Sequence, residues 1–405
     1  MADDICQPSP AACGEPTDPL AWFGNMIDHC YDFAECARAQ GRPIVGIMCE
    51  FTPREIILAA GAVPVCLCGG SAATIPAAEQ YLPANLCPLI KSTFGYQVTG
   101  KNPFLNWADL VVAETTCDGK KKMFELLGES KPMYVLELPQ RADDSDALEH
   151  WVLELRKFQQ FLASRYGVEI TDGKLRQAIE LMNRERRLRR QLADLMIAEP
   201  PPITGRQLLE FKSIISGMET DLQQYEQALQ RYGGANRDPS AIHHASCITH
   251  HAPPIRVLLT GVPIVHGAER VLELIERCGS VVVCMENCTG LKPILEDVDL
   301  NNEPDPIRAI GQKYYHLPCS VMTPNPRRFE TLRELAARFR PQCVIELVWQ
   351  ACLTYDVESY RVRKLVEEEL HLPYLKITTD YSQSDSARIT GRVEALLEMV
   401  RANLG

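Results

Sequence analysis

The chain has 405 residues, a formal net charge of −11 and 46% hydrophobic residues, so it buries large cores, divides into two or three domains and is not disordered. The acidic balance argues against a nucleic-acid partner, and no apolar run reaches the roughly 18 residues a membrane span needs. The start, Met1-Ala2-Asp3-Asp4-Ile5-Cys6, lacks the basic and apolar segments of a signal peptide, so a cytoplasmic location is expected.

Residues 1–19 read as a tail, its first part rich in Pro, Ala and acid. Residues 20–40 read as one helix, with Cys30 and Cys36 as small buried hydrophobes. The apolar run 44–48 is a first strand, followed by Cys49. Thr52, Pro53 and Glu55 mark a helix start, and Gly61 marks its end. Residues 62–67 form a second strand that turns out at Cys68-Gly69-Gly70. Cys87-Pro88 opens another helix. Residues 110–113 are a third strand, and Cys117 stands between it and the next helix. Residues 133–136 are a fourth. Residues 20–142 thus read as a four-stranded β/α domain, with Cys49, Cys68, Cys87 and Cys117 at the carboxyl edge where such sheets collect ligands.

Residues 143–252 change character and read as three or four helices and a linker. The basic run 184–190 is expected to be a solvated helix face. His243, His244, His250 and His251, with Cys247 among them, read as a surface linker, with metal binding as the competing reading. From 253 to 405 the first pattern returns. Strands are expected at 255–261, 280–284, 343–348 and 374–377, with a last helix at about 385–403. Cys288 follows the second of these strands, Cys319 a helix at about 305–315, and Cys352 the third strand. The fold class is α/β: two Rossmann-like four-stranded parallel-sheet domains facing a cleft, with a helical insertion.

Sixteen cysteines are many for a protein of a reducing compartment, where disulfides are rare. The closest pairs are Cys66/Cys68 and Cys284/Cys288, so no CxxC supports a zinc ribbon. In the first half Cys68, Cys87 and Cys117 follow strand two, precede a helix and follow strand three. Cys288, Cys319 and Cys352 keep that order in the second half, at different spacing. Six thiolates are too many for one tetrahedral metal and suit two iron–sulfur cubanes or one larger cluster.

Cys49-Glu50-Phe51-Thr52-Pro53-Arg54-Glu55 with Ala59-Ala60-Gly61-Ala62-Val63-Pro64 resembles the 2-hydroxyacyl-CoA dehydratase and benzoyl-CoA reductase superfamily. Two further stretches, Asn85-Leu86-Cys87-Pro88-Leu89-Ile90-Lys91-Ser92 and Thr115-Thr116-Cys117-Asp118-Gly119-Lys120-Lys121-Lys122-Met123, are similar to its double-cubane cluster branch. So are Glu286-Asn287-Cys288-Thr289-Gly290, Pro318-Cys319-Ser320 and Gln350-Ala351-Cys352 with Tyr355 and Glu358. The resemblance covers nearly the whole chain from about residue 20.

The resemblance implies a ligand set. Dehydratase subunits hold one 4Fe–4S cluster on cysteines that match Cys87, Cys117 and Cys352. The branch holds two cubanes bridged by sulfide, and Cys288 and Cys319 match the added motifs. The remaining ligand is Cys68, from the comparison of halves, or Cys49, from the most widely shared motif. The implied function is reduction of small molecules at low potential by a homodimer that takes electrons from a separate ATP-hydrolysing 4Fe–4S activator. The absence of a GxxxxGK[ST] loop agrees with ATP being handled by that partner. Glu114, Asp118, Glu286 and Tyr355 are the candidate proton donors, with hydrogen bonding to the ligands as their competing role. Lys91 and Lys120–Lys122 moderate cluster charge, dock the activator or form a solvated face. Two other functions stay open: a dehydratase or acyl-CoA reductase subunit with an unlike partner, and a non-catalytic electron carrier.

Overall fold

The structure is a computed structural model that describes residues 18–233 and 253–404. The tail before residue 18 and the histidine-rich segment at 243–251 lie outside the described residues. The first sheet holds β1 (Ile44–Ile47), β2 (Val63–Cys66), β3 (Leu110–Glu114) and β4 (Met133–Leu136) in the order β2-β1-β3-β4. The second holds β5 (Ile255–Gly261), β6 (Ser280–Glu286), β7 (Cys343–Trp349) and β8 (Tyr374–Thr379) in the order β6-β5-β7-β8. Every pairing is parallel, and the two sheets repeat one topology, as expected from sequence.

The inner strands read as unbroken apolar runs because helices cover both sheet faces. β1, β3, β5 and β7 are buried at every position, whereas β4 and β8, at the sheet edges, are partly exposed. In each sheet the first strand lies between the second and third. The winding reverses there, and the loops leaving those strands splay apart to open a crevice at the carboxyl edge.

Two local readings change. Residues 19–39 form two helices, Pro19–Gly24 and Met26–Ala39. Asn25 breaks them with φ −101° and ψ 26°, outside the helical region. The second helix buries Met26, Cys30, Ala34 and Ala37 on one stripe, and Cys30 Sγ lies 3.2 Å from Ser213 Oγ. The basic run on the helix Asp172–Asp194 is not a solvated face. Arg186 is buried against Glu55 and Tyr314, Arg190 reaches Asp297 at 2.8 Å, and Arg184 meets Glu219 and Glu226. The residues of that run tie the helical insertion to both halves of the chain.

The carboxyl edges of the two sheets come together backbone to backbone. A Cβ added at Gly70 would stand 2.1 Å from the carbonyl oxygen of His266. Beside it, the Tyr381 hydroxyl donates to Gly69 O at 3.2 Å. Glycine is needed at position 70 because the opposite loop fills the space of a side chain. Gly70→Ala is expected to destabilise the protein by about 1–3 kcal/mol, read as a lower Tm in thermal denaturation. Gly24→Ala, with nothing within 4 Å of the new methyl, serves as the control and should leave Tm unchanged or slightly raised.

Candidate metal centre

The seven cysteines singled out from sequence all lie at loop or helix starts on these edges. Cys49 follows β1, Cys68 follows β2 and Cys288 follows β6. Cys87, Cys117 and Cys352 are the N-cap residues of the helices Pro88–Thr99, Asp118–Gly128 and Leu353–Lys364. Backbone N–H groups of those first turns point at the sulfurs: Leu89 and Ile90 at Cys87, Lys120 at Cys117, and Tyr355 at Cys352. The first N–H groups of a helix have no partner within it and carry partial positive charge, so they favour thiolate. Cys319 lies in the turn between the helices Pro306–Tyr315 and Pro326–Phe339, held where Asn325 Nδ2 donates to its carbonyl at 3.0 Å.

The two edges bring these thiols into one cluster. The side chains of Cys87 and Cys352 are hydrogen-bonded to one another. Cys117 feels the fields of Cys352 and Cys319, and Cys49 those of Cys288 and Cys319. Cys68 is hydrogen-bonded to Cys66 and lies near Cys49. All are free thiols. Cys66 was not among the expected ligands. The signal was available, since residues two apart on an extended strand share a face.

Charge decides the state of these groups. Burial pushes the Cys49 thiol well above its usual range, and burial with Lys292 and Cys319 nearby puts Cys288 at about 12. Cys352 donates to Cys87, which lowers Cys87 and raises Cys352. Lys120 is the cation of the cluster. Its Nζ donates to Met48 O at 2.6 Å, the carbonyl that also accepts from Cys68 Sγ at 3.4 Å. Burial opposes its charge, yet Cys49, Cys68 and Glu114 outweigh burial and hold its pKa well above the ordinary lysine value. Helix rotation separates it from its neighbours. Lys121 and Lys122 are exposed and pair with Asp118 at 2.9 Å and Glu125 at 2.6 Å. Lys91 is tied to Glu79 and Ala84 O, both at 2.7 Å.

The four expected acids take different places. Asp118 points into solvent beside Lys121. Glu114, at the end of β3, is fully buried. One of its oxygens accepts from the Thr52 hydroxyl, the other has no partner, and burial raises its pKa to about 7. Thr52 therefore serves Glu114 rather than capping the helix Arg54–Ala59, which has no side-chain cap. Glu286, at the end of β6, is equally buried, with Lys292 Nζ at 3.0 Å and Arg328 Nε at 3.4 Å. Tyr355 OH accepts from Lys292 Nζ at 2.8 Å, and its ring faces the Arg328 guanidinium at 4.8 Å. Burial, with Cys319 and Cys288 beside it, holds its phenol protonated.

Sequence reading missed Arg328 and Lys292. Arg328 is fully buried, with Glu346 at 3.2 Å and Glu358 at 2.5 Å completing its contacts. In the sequence it is one of two adjacent arginines on an amphipathic helix, which carries no sign of burial.

No three His, Cys, Asp or Glu side chains among the described residues stand at the spacing of a single ion. Buried Glu114 Oε2, Thr116 Oγ1 and Asn287 Nδ2 lack protein partners. A donor set of thiols without imidazole suits an iron–sulfur group and not a hard cation. The residues present fit such a group.

Paired parallel sheets with sulfur donors gathered between their carboxyl edges define an α/β protein built around a thiol-lined cleft. Residues 49–400 match the family model described as 2-hydroxyglutaryl-CoA dehydratase, D-component, and the chain belongs to that family. It is 38% identical to the YjiM protein of Escherichia coli (strain K12) over 373 residues, 90% of this chain and 93% of the relative. It is 22% identical to the (R)-phenyllactyl-CoA dehydratase beta subunit of Clostridium sporogenes, over 88% of this chain and 92% of that one. A benzoyl-CoA reductase polypeptide of Thauera aromatica is 23% identical over 60% of each chain.

The raised pKa of Glu114 has a consequence for stability. A carboxyl that titrates near 4.5 when unfolded and at about 7 when folded favours folding in its protonated form. Its stabilising contribution is complete below about 4.5 and is lost as pH rises to about 7. In cluster-free protein, Glu114→Gln should remove up to about 3 kcal/mol of that decline, read from denaturant unfolding at pH 5 and pH 8.

Proposed function

We propose that this chain is a low-potential iron–sulfur reductase of small molecules that holds a double-cubane cluster between its two sheets. Cys87, Cys117 and Cys352 would hold one cubane, and Cys288, Cys319 and Cys68 the other, with Cys49 as the alternative to Cys68. The observation that carries this reading is the meeting of thiols from both halves in one cleft. Cys49 is within electrostatic reach of Cys288 and Cys319, and Cys117 within reach of Cys319 and Cys352. A single cubane needs only the thiols of the dehydratase pattern, and the further buried sulfurs call for more iron.

When bound, the group supplies electrons at low potential. The chain supplies the rest. Lys120 sets one fixed positive charge among the thiolates. Lys292 donates to the Tyr355 hydroxyl at 2.8 Å, which leaves the phenol proton free for an acceptor in the cleft. Glu114, which titrates at about 7 and so exchanges a proton near neutral pH, is a second proton source at the other end. Glu286 is locked by Lys292 and Arg328 and acts as an anchor for both. Cations thus stand close to the negative charge, but many thiolates in a poorly screened cleft keep reduction costly. Electrons therefore come from a separate ATP-hydrolysing iron–sulfur activator, and the chain works as a homodimer. A second reading, an acyl-CoA dehydratase subunit with an unlike partner, is favoured by the names of the family and of its relatives.

Anaerobically purified protein should contain about eight irons per chain, and metal analysis giving about four, or zinc alone, overturns the double-cubane reading. Cys117→Ser and Cys352→Ser should lower iron and sulfide content, whereas Cys30→Ser and Cys278→Ser should leave it unchanged.

Sustained reduction should require activator, magnesium–ATP and a strong reductant together. Steady turnover at the same rate with reductant alone removes the activator from the mechanism. Turnover of an acyl-CoA thioester in place of a small molecule would establish the second reading.

A further inference from the structure

A cavity of about 100 Å³ opens beside the thiol cluster, between the two halves of the chain. Cys68 and Cys288 stand on one wall, and Arg54, Lys212 and Lys313 on the others. His266, with its side chain more than half exposed, is at the mouth. The cationic lining exceeds the carboxylates that answer it. Arg54 is matched by Glu50 at 2.8 Å, and Arg186 by Glu55. Lys212 and Lys313 are not matched in this way. Lys313 is buried; its Nζ donates to Pro293 O at 2.8 Å and stands 4.1 Å from the centre of the Tyr314 ring, with no ion-pair partner among the described residues. Lys212 donates to Ile264 O at 3.0 Å, and its nearest carboxylate, on Glu269, is at the 4.0 Å limit of an ion pair.

An ammonium has three N–H donors, so each of these lysines keeps donors unused. A buried cation without a counter-charge is costly, and here burial pulls Lys212 down to about 8 and Lys313 well below its ordinary value. The thiol cluster does not account for Lys313 and contributes little to Lys212, which feels Cys66 only after burial, Glu269, Glu210 and Arg206. The cluster's own cations are Lys120 and Lys292, and the strongest neighbours of Lys313 are Arg186, Glu55, Arg54 and Glu50, none of them a thiol. Two lysine amines with free donors lining one cavity, which an anion would draw to the charged form, are the chemistry of an anion site.

We infer that this cavity binds a small anion, a carboxylate or oxyanion of a few non-hydrogen atoms, between Lys212 and Lys313 and against the Cys68–Cys288 edge of the cluster. The inference rests on the reductase reading and names the charge and size class of its substrate. The enclosed volume suits a few non-hydrogen atoms and is well below the about 300–1,000 Å³ of sites for drug-sized molecules.

The test is calorimetric titration of anaerobically purified protein of known iron content with formate and acetate, and with formamide and acetamide as neutral counterparts. The anions should bind at least about tenfold more tightly than the amides, and Lys212→Gln and Lys313→Gln should each lower acetate affinity by about tenfold or more. Lys212→Arg, which keeps the charge at the partly exposed wall, should restore binding. Lys212 also guards against misfolding of the buried Lys313 variant. Equal binding of acetate and acetamide, no binding of either anion, or wild-type affinity in Lys212→Gln overturns the site. Iron content separates the two claims. Iron-poor protein that binds acetate through Lys212 keeps the anion site and loses the reductase reading, and iron-loaded protein that ignores anions does the reverse.

Discussion

The contact on which the molecule depends is the buried set Glu55, Arg186 and Tyr314. Tyr314 OH donates to Glu55 at 2.8 Å and accepts from Arg186 at 3.2 Å, and Arg186 is paired with Glu55. These residues come from the helix after β1, from the helical insertion and from the helix before Cys319. Removing one member strands a charge in the interior, which costs about 3–5 kcal/mol for buried pairs. The set therefore fixes the approach of the two sheets more sharply than apolar packing, which tolerates sliding.

That approach creates the cleft, and the cleft creates the chemistry. Each sheet alone offers a few thiols at helix starts. Brought edge to edge, they become a sulfur-rich volume in which most thiols are pushed toward the neutral form. Lys120 and Lys292 counter this from opposite sides, one hung on Met48 O and the other between Glu286 and Tyr355. The arrangement is preorganised, because the helix-start N–H groups and the buried cations already face the space that negative charge is to occupy.

The two buried glutamates of the cleft differ in their partners. Glu114 titrates at about 7 because burial outweighs Lys120 and Thr52. Glu286, with two cations on it, is an anchor. Identical residue types at similar strand ends thus do different work, and the difference lies in partners from distant segments. Arg328 is the clearest case: its carboxylates lie on β6, β7 and the helix after Cys352.

All eight strands and their division into two parallel sheets were legible in the sequence; the strand order came from the structure. Buried parallel strands must be continuous apolar runs, and a cysteine just after such a run has few places to go. The helix break at Asn25 had a signal in Gly24-Asn25, two residues that favour helix ends, but the apolar periodicity on both sides outweighed it in the reading. The order of the cysteines relative to the strands was enough to expect thiols from both halves in one cleft, and the family motifs named the family. The sequence could not say which lysine of 120–122 turns inward, that Thr52 serves Glu114 instead of a helix cap, that Arg186 and Arg328 are buried, or that Lys212 and Lys313 share a cavity. Periodicity reports which face of an element is apolar. The charge and hydrogen-bond state of a side chain depends on groups tens or hundreds of residues away, and only tertiary structure brings those groups within the few ångströms over which such forces act.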